Sequence, residues 1–115
     1  MLLHFGFLVD EDWLVRRGVA LRLGNNKTTE DRYYTIGQSV LDIMMKARLG
    51  DQCNIRRVVT KQGNDYWCMA LASNDPREGM YTPHNMPPQE QLDRLKEVLM
   101  KKDHIKPQWY KAKYP

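Results

Sequence analysis

Cysteine is scarce in this sequence, and features typical of a secreted or membrane-spanning chain are missing. Among 115 residues there are 2 cysteines, too few for a disulfide framework and not spaced as metal ligands. No stretch approaches the roughly 18 apolar residues that span a bilayer. Residues 2–9 are apolar, but they lack the basic start and the small-residue cleavage site of a signal peptide. We therefore expect a soluble intracellular protein, cytoplasmic by default.

The short motifs of nucleotide, metal and nucleophile chemistry are also missing. Residues 18–24 hold two glycines without the spacing of a phosphate-binding loop. The three histidines are isolated and lack the spacing of a zinc site: His4, His84 and His104. These absences predict no cofactor and no metal, and they weigh against an enzyme. A site assembled from scattered residues stays open, with Cys68 or the acidic run 10–12 acting beside a histidine. The alternatives are a buried thiol and a surface turn that compensates a helix dipole.

Excess positive charge is confined to one end of the chain. The net charge is +4. Residues 101–115 contain five lysines and one aspartate, which accounts for all of it, so residues 1–100 are neutral overall. A neutral body with a basic tail differs electrostatically from a basic domain. Net charge therefore gives the body no support as a nucleic-acid-binding surface.

Aromatic side chains alternate with lysines in this tail. The candidate binding residues are Lys106, Trp109, Tyr110, Lys111, Lys113 and Tyr114. Aromatic faces can stack on unpaired bases while ammonium groups neutralise phosphates. An anionic membrane surface or a protein groove would suit the same residues. The structural alternative is an arm that folds back, with its aromatic rings on the body and its lysines in water.

Three segments have the residue types of β-strands: 2–9, 53–61 and 65–72. The last two flank a turn and predict a hairpin. A two-residue loop at 63–64 would place Val59 opposite Cys68. Neighbouring residues Arg56 and Arg57 must point to opposite sheet faces, so one of them faces the helices or lies beyond their edge, which indicates a sheet edge or a paired ion.

Three helices are predicted between and after these strands. The first covers 11–23, although its apolar residues spread around the helix and 18–23 also alternates as a strand would. The second follows a loop at 24–31, begins at a capping box in 35–38 and ends at a left-handed cap at Gly50. Its buried face is Ile36, Val40, Ile43, Met44 and Ala47, with Gln38, Ser39, Asp42 and Lys46 pointing away.

The third helix follows an irregular connector at 74–88 that holds four of the six prolines. It covers 89–102 and buries a stripe of Leu92, Leu95 and Leu99, with i,i+4 ion pairs predicted for Glu90 with Arg94 and Glu97 with Lys101. The elements together predict an α+β fold, in which about three helices pack on a small antiparallel sheet. We expect one compact domain over 1–103 and a basic, aromatic C-terminal arm over 104–115.

The leading functional hypothesis is a small binding module that recognises another protein or a second copy of itself. It rests on a competent core, the absence of a catalytic motif, ample aromatic residues, and sheet edges that a partner strand could extend. Binding of nucleic acid or another polyanion through the arm is the first alternative, and an enzyme with a dispersed site is the second.

Overall fold

The computed structural model describes residues 1–114, which form four strands and three helices. In chain order these are β1 (Leu3–Val9), α1 (Glu11–Ala20), α2 (Thr29–Lys46), β2 (Asn54–Val59), β3 (Asp65–Ser73), α3 (Gln89–Val98) and β4 (Gln108–Ala112). Short 3₁₀ turns occupy Gly50–Gln52 and Pro76–Glu78. All strand pairings are antiparallel. The predicted α+β fold, with helices packed on a small antiparallel sheet, is confirmed.

The sheet closes on itself in the order β1-β3-β2-β4, because β4 pairs with both β1 and β2. The sequence predicts three strands with free edges, so this closure is a correction. The fourth strand comes from the C-terminal arm, where Gln108 pairs with Gly6 and Lys111 pairs with both Leu3 and Val59. The strand edges that were expected to recruit a partner chain are thus paired within the molecule over these residues.

The two faces of the closed sheet bury different side chains. The outer face contributes Phe7, Val9, Met69 and Leu71 to a main core with the three helices. The inner face holds a second cluster, in which Val58, Cys68, Ala70 and Met80 pack with the half-buried Leu8 and Tyr110. Four strands enclose little space, and small inner residues fill it. A Cβ atom at Gly6 would lie 1.9 Å from the Met69 carbonyl oxygen, so the closure requires glycine there.

The second helix begins earlier than its sequence pattern predicts. Its N-cap is Thr28, whose Oγ1 accepts a hydrogen bond from the Asp31 amide at 3.0 Å. The predicted capping residue Thr35 lies inside the helix, fully buried, and its hydroxyl donates toward the carbonyls of Asp31 and Asn25. Ser39, predicted to point away from the core, is also fully buried. The reason is Gly18 of α1, where an added Cβ would lie 2.6 Å from the Thr35 side chain, so the two helices approach closely.

The helix ends also differ from prediction. α1 ends at Ala20, not at residue 23, and α2 ends at Lys46 with Arg48 in the left-handed conformation, where a cap at Gly50 was expected. α3 ends at Val98, so Lys101 lies beyond it and forms no ion pair with Glu97 among the described residues. The predicted Glu90–Arg94 pair is present at 2.7 Å, and the leucine stripe of α3 is buried as predicted.

The predicted hairpin is present, but its register is shifted. Val59 pairs with Asp65 and Arg56 with Cys68, where Val59 was expected opposite Cys68. The turn is longer than two residues, because the amide of Thr60 donates to the Asn64 carbonyl and the amide of Gly63 to the Thr60 carbonyl. At the start of β3, the Asp65 carboxylate accepts a hydrogen bond from the ammonium group of Lys113, the residue that follows β4.

Candidate functional site

The structure brings some of the predicted arm residues together and separates others. Trp109, Tyr110 and Lys111 belong to β4 and line one groove, whereas Lys106 lies in the depression next to it. Lys113 forms a salt bridge with Asp65 and lies over the Tyr114 ring, 5.5 Å from its centroid. Its charge is therefore already compensated, and we separate Lys113 and Tyr114 from the groove residues.

The aromatic rings of the arm pack against the body. Trp109 is half-buried, with its ring centroid 5.2 Å from that of Phe5 at a tilt of 48°. Tyr110 is half-buried against the inner cluster, and burial raises the pKa of its phenol. Lys106 and Lys111 stay exposed. The arm thus has the geometry of the folded-back alternative, with both rings retaining some exposed surface.

A different surface, which the sequence reasoning missed, lies on the outward face of α2. Tyr34 is 62% exposed, Leu41 53% and Met45 76%. These positions are separated by seven and four residues, which places them within about 40° of one another around the helix. We call this row the α2 seam. In the sequence, this surface is marked by apolar residues at positions 34, 41 and 45, next to the buried stripe. Tyr34 joins that pattern only when the helix is known to begin at Thr29, ahead of the predicted start.

A polar cluster occupies the inner side of the sheet. His4 is 2% exposed, and its Nδ1 has no hydrogen-bond partner within residues 1–114. Arg56 and Glu78 form a salt bridge at 3.0 Å nearby. Burial lowers the pKa of His4, Glu78 opposes that shift, and Arg56 adds to it. The Arg56 side chain therefore lies on the inner side of the sheet in an ion pair. None of the cavities described is lined by His4.

The acidic run 10–12 lies at the start of α1, and two of its three carboxylates form ion pairs. Glu11 accepts a hydrogen bond from the Trp67 indole at 2.9 Å and another from Arg32 at 3.0 Å, and Asp12 accepts one from Arg32 at 2.6 Å. The Trp67 hydrogen bond, with help from Arg32, lowers the pKa of Glu11. Arg57 completes the network with its guanidinium 4.4 Å from the centre of the Trp67 ring. The run therefore anchors α1 to the sheet.

The two thiols lie in the interior. Cys53 and Cys68 are both free and buried, and burial raises the pKa of Cys53 to about 12 and that of Cys68 further. A nucleophilic cysteine needs a lowered pKa and access to solvent. Neither thiol has these properties.

In the part of the chain that is described, histidine, cysteine and acidic side chains nowhere gather in a group of three that would hold a metal ion. None of the helices within residues 1–114 has the length and apolar content needed to cross a bilayer.

Compared with known proteins, the chain matches no family model, no curated sequence and no solved structure.

Proposed function

We propose that this protein is an interaction module that self-associates through the α2 seam. The observation that carries the proposal is the row of exposed apolar side chains Tyr34, Leu41 and Met45 on one face of an 18-residue helix. Exposed apolar rows of this kind mark protein-binding surfaces, because covering them removes apolar area from water. The opposite face of α2 is already used, since Ile36, Val40 and Ile43 lie in the main core.

The shape of the seam favours a second helix as its occupant. Gly37 lies beside the seam, and nothing comes within 4 Å of the position its Cβ would take. A small residue there lets another helix approach closely. With 18 residues, α2 is about 27 Å long, so it offers a partner helix about five turns of contact surface.

The distribution of charge along α2 favours a second copy in antiparallel orientation. The first turn carries Glu30 and Asp31, whereas the end carries Lys46 followed by Arg48. Side by side and antiparallel, each acidic start lies next to the partner's basic end, and the helix dipoles are opposed as well. The register that places Tyr34 opposite Met45 of the second copy also places Asp31 opposite its Arg48. A two-fold axis generates both contacts twice.

Sedimentation analysis over a range of protein concentrations tests this proposal. The wild-type chain is expected to shift from monomer to dimer as concentration rises, and Leu41→Lys is expected to hold it monomeric, because it places a charge in the apolar contact. Met100→Lys is the matched control, since Met100 is 79% exposed but lies outside α2. A wild-type chain that stays monomeric throughout, or equal effects of the two substitutions, would overturn the proposal.

Disulfide trapping tests the antiparallel orientation. Tyr34→Cys and Met45→Cys proteins are mixed under mild oxidation, and an antiparallel pair forms the mixed 34–45 dimer. A parallel pair instead forms 34–34 and 45–45 homodimers when each protein is oxidised alone. The native thiols do not interfere, because both are buried.

The free thiols also bear on where the protein acts. Unpaired cysteines are typical of reducing compartments, and we infer an intracellular, cytoplasmic location on that ground. Fractionation of cells that express the tagged chain tests this inference, and recovery in a secreted or organelle fraction would contradict it.

A further inference from the structure

A basic groove runs along β4 on a part of the surface away from the α2 seam. One depression, of about 670 Å³, is lined by β4, the hairpin turn and the ends of β1. A second, of about 490 Å³, lies against residues 101–108. Both are lined by Leu8, Gln108 and Tyr110, so they are adjacent parts of one groove. We call it the β4 groove.

The lining of the β4 groove carries positive charge and no acidic residue. Its basic members are Lys61 and Lys111 in the first depression and Lys101, His104 and Lys106 in the second. None of the four lysines forms a salt bridge among residues 1–114. Elsewhere on this surface Lys113 is neutralised by Asp65. Lys101 lies near the Asp10 carboxylate, whereas Lys61, Lys106 and Lys111 have no bonded carboxylate, and an anionic ligand lowers the repulsion between them.

The spacing of these cations favours an extended anion. The five residues of β4 span about 16 Å at about 3.3 Å per residue, with Lys106 before the start of the strand and Lys111 near its end. A single phosphate contacts one end of such a row only. A chain of phosphates can contact several of the lysines at once, and each contact releases a counterion.

Aromatic and amide groups between the lysines favour nucleic acid among extended anions. Trp109 and Tyr110 are neighbours in β4 and point to opposite faces of the strand, Trp109 toward Phe5 and Tyr110 toward the inner cluster. Trp109 shares its face with Lys111, and its ring is half-buried, so part of it stays accessible. Unpaired bases stack on such rings. Gln62 and Gln108 also line the groove, and amide side chains of this kind donate hydrogen bonds to phosphate and sugar oxygens.

We propose that the β4 groove binds single-stranded nucleic acid, with phosphates on the lysines and bases against Trp109. This binding is separate from self-association, because no groove residue belongs to the α2 seam. A strand of a few nucleotides fits the length of the groove, and binding is tolerant of sequence because stacking and phosphate contacts do not read bases.

Fluorescence anisotropy with a labelled oligothymidylate of about 12 nucleotides tests the proposal. The experiment uses the full chain with Leu41→Lys, so that the protein stays monomeric and dimer formation does not alter the measured affinity. Lys61→Gln and Lys111→Gln are each expected to weaken binding about fivefold at low salt and to reduce the slope of log K against log salt by about 0.7. Lys27→Gln is the matched control, because Lys27 is exposed but lies outside the groove. It is expected to leave affinity unchanged.

Two further ligands separate stacking from charge alone. An abasic strand of the same length and a heparin fragment carry negative charge without bases, and both are expected to bind at least tenfold more weakly than the oligothymidylate. Equal affinity for the three ligands would show a general polyanion site and overturn the proposal. No binding at low salt, or equal losses from Lys27→Gln and Lys111→Gln, would overturn it as well.

Discussion

At the scale of single residues, burial changes the acid–base behaviour of His4. The imidazole lies inside the closed sheet, close to the Arg56–Glu78 salt bridge. Desolvation disfavours the charged imidazolium, so the pKa of His4 falls below its ordinary value of 6.5. The folded protein therefore binds this proton less readily than the unfolded chain does.

This difference makes the folded state sensitive to mild acid. As pH falls below about 6.5, the unfolded chain takes up a proton that folded His4 resists, and the free energy of unfolding drops by up to about 1.4 kcal/mol per pH unit. The drop continues until the pH passes the lowered pKa in the folded state. Urea titrations at pH 7, 6 and 5 measure it.

His4→Gln is expected to flatten this dependence, whereas His84→Gln, at an exposed position, is expected to keep it. Glu11 does not contribute in this range, because its lowered pKa produces a loss of stability only as pH falls below about 4.5. A wild-type stability that is constant from pH 7 to 5 would contradict the assignment to His4.

At the scale of elements, all three helices end in the same way on residues other than glycine. Arg22, Arg48 and Met100 follow α1, α2 and α3 in left-handed conformation, with φ of 58°, 54° and 57°. In each case the next residue donates its amide to a carbonyl five positions earlier, as Leu23 does to Gly18. This is the Schellman arrangement, in which glycine is preferred because a Cβ atom costs about 1–2 kcal/mol in that conformation.

Arg22→Gly is therefore expected to raise the free energy of unfolding by about 0.5–1 kcal/mol, after the extra chain entropy of glycine is subtracted. Arg16→Gly is the matched control. Arg16 is exposed in the interior of α1, and glycine there is expected to lower stability by about 1 kcal/mol. Chemical denaturation measures both, and a loss of stability in Arg22→Gly would contradict the strain argument.

The helix ends also show why the elements were predictable while their boundaries were not. The stripe of Leu92 and Leu95 identifies α3 from spacing alone, since burial follows helical periodicity. Thr35 satisfies the same capping pattern as a real N-cap, yet its hydroxyl bonds back to Asp31 within the helix. Arg48 replaces the expected glycine cap, because the following residue, Leu49, is buried and fixes the turn. Such choices depend on tertiary contacts.

At the scale of the whole molecule, the two hydrophobic clusters shield one thiol each. Cys68 lies in the inner cluster and Cys53 in the main core, and both are 0–1% exposed. Because opening either cluster disrupts packing between several elements, thiol exposure is coupled to unfolding of the molecule.

Thiol labelling measures that coupling. At pH 8 a pKa of about 12 leaves about one Cys53 in ten thousand as thiolate, and burial blocks the reagent as well. Both native thiols are expected to react only as urea unfolds the chain, in step with the loss of circular dichroism. An introduced cysteine at Met100→Cys, which is exposed and lies outside the α2 seam, is expected to react at once. Rapid labelling of either native thiol would contradict this picture and reopen a catalytic role for it.

The candidate surfaces depend on the whole molecule in different degrees. Lys106, Trp109, Tyr110 and Lys111 were predictable as binding residues from the arm alone, and they lie in or beside the β4 groove. The contribution of Lys61 was not predictable, since the hairpin turn reaches the groove only because β4 pairs with β2. The separation of Lys61 from β4 along the sequence does not reveal that the two lie side by side in the folded protein.

Closure of the sheet also constrains how the chain folds as it is synthesised. β4 is the last of the four strands to leave the ribosome, and until then both β1 and β2 present an unpaired edge. Pairing Leu3 with Lys111 joins positions at nearly opposite ends of the chain, a contact that forms late and slowly. Unpaired strand edges promote aggregation. Until residues 108–112 are available to pair, a nascent chain therefore exposes the edges of β1 and β2 that β4 covers in the folded protein.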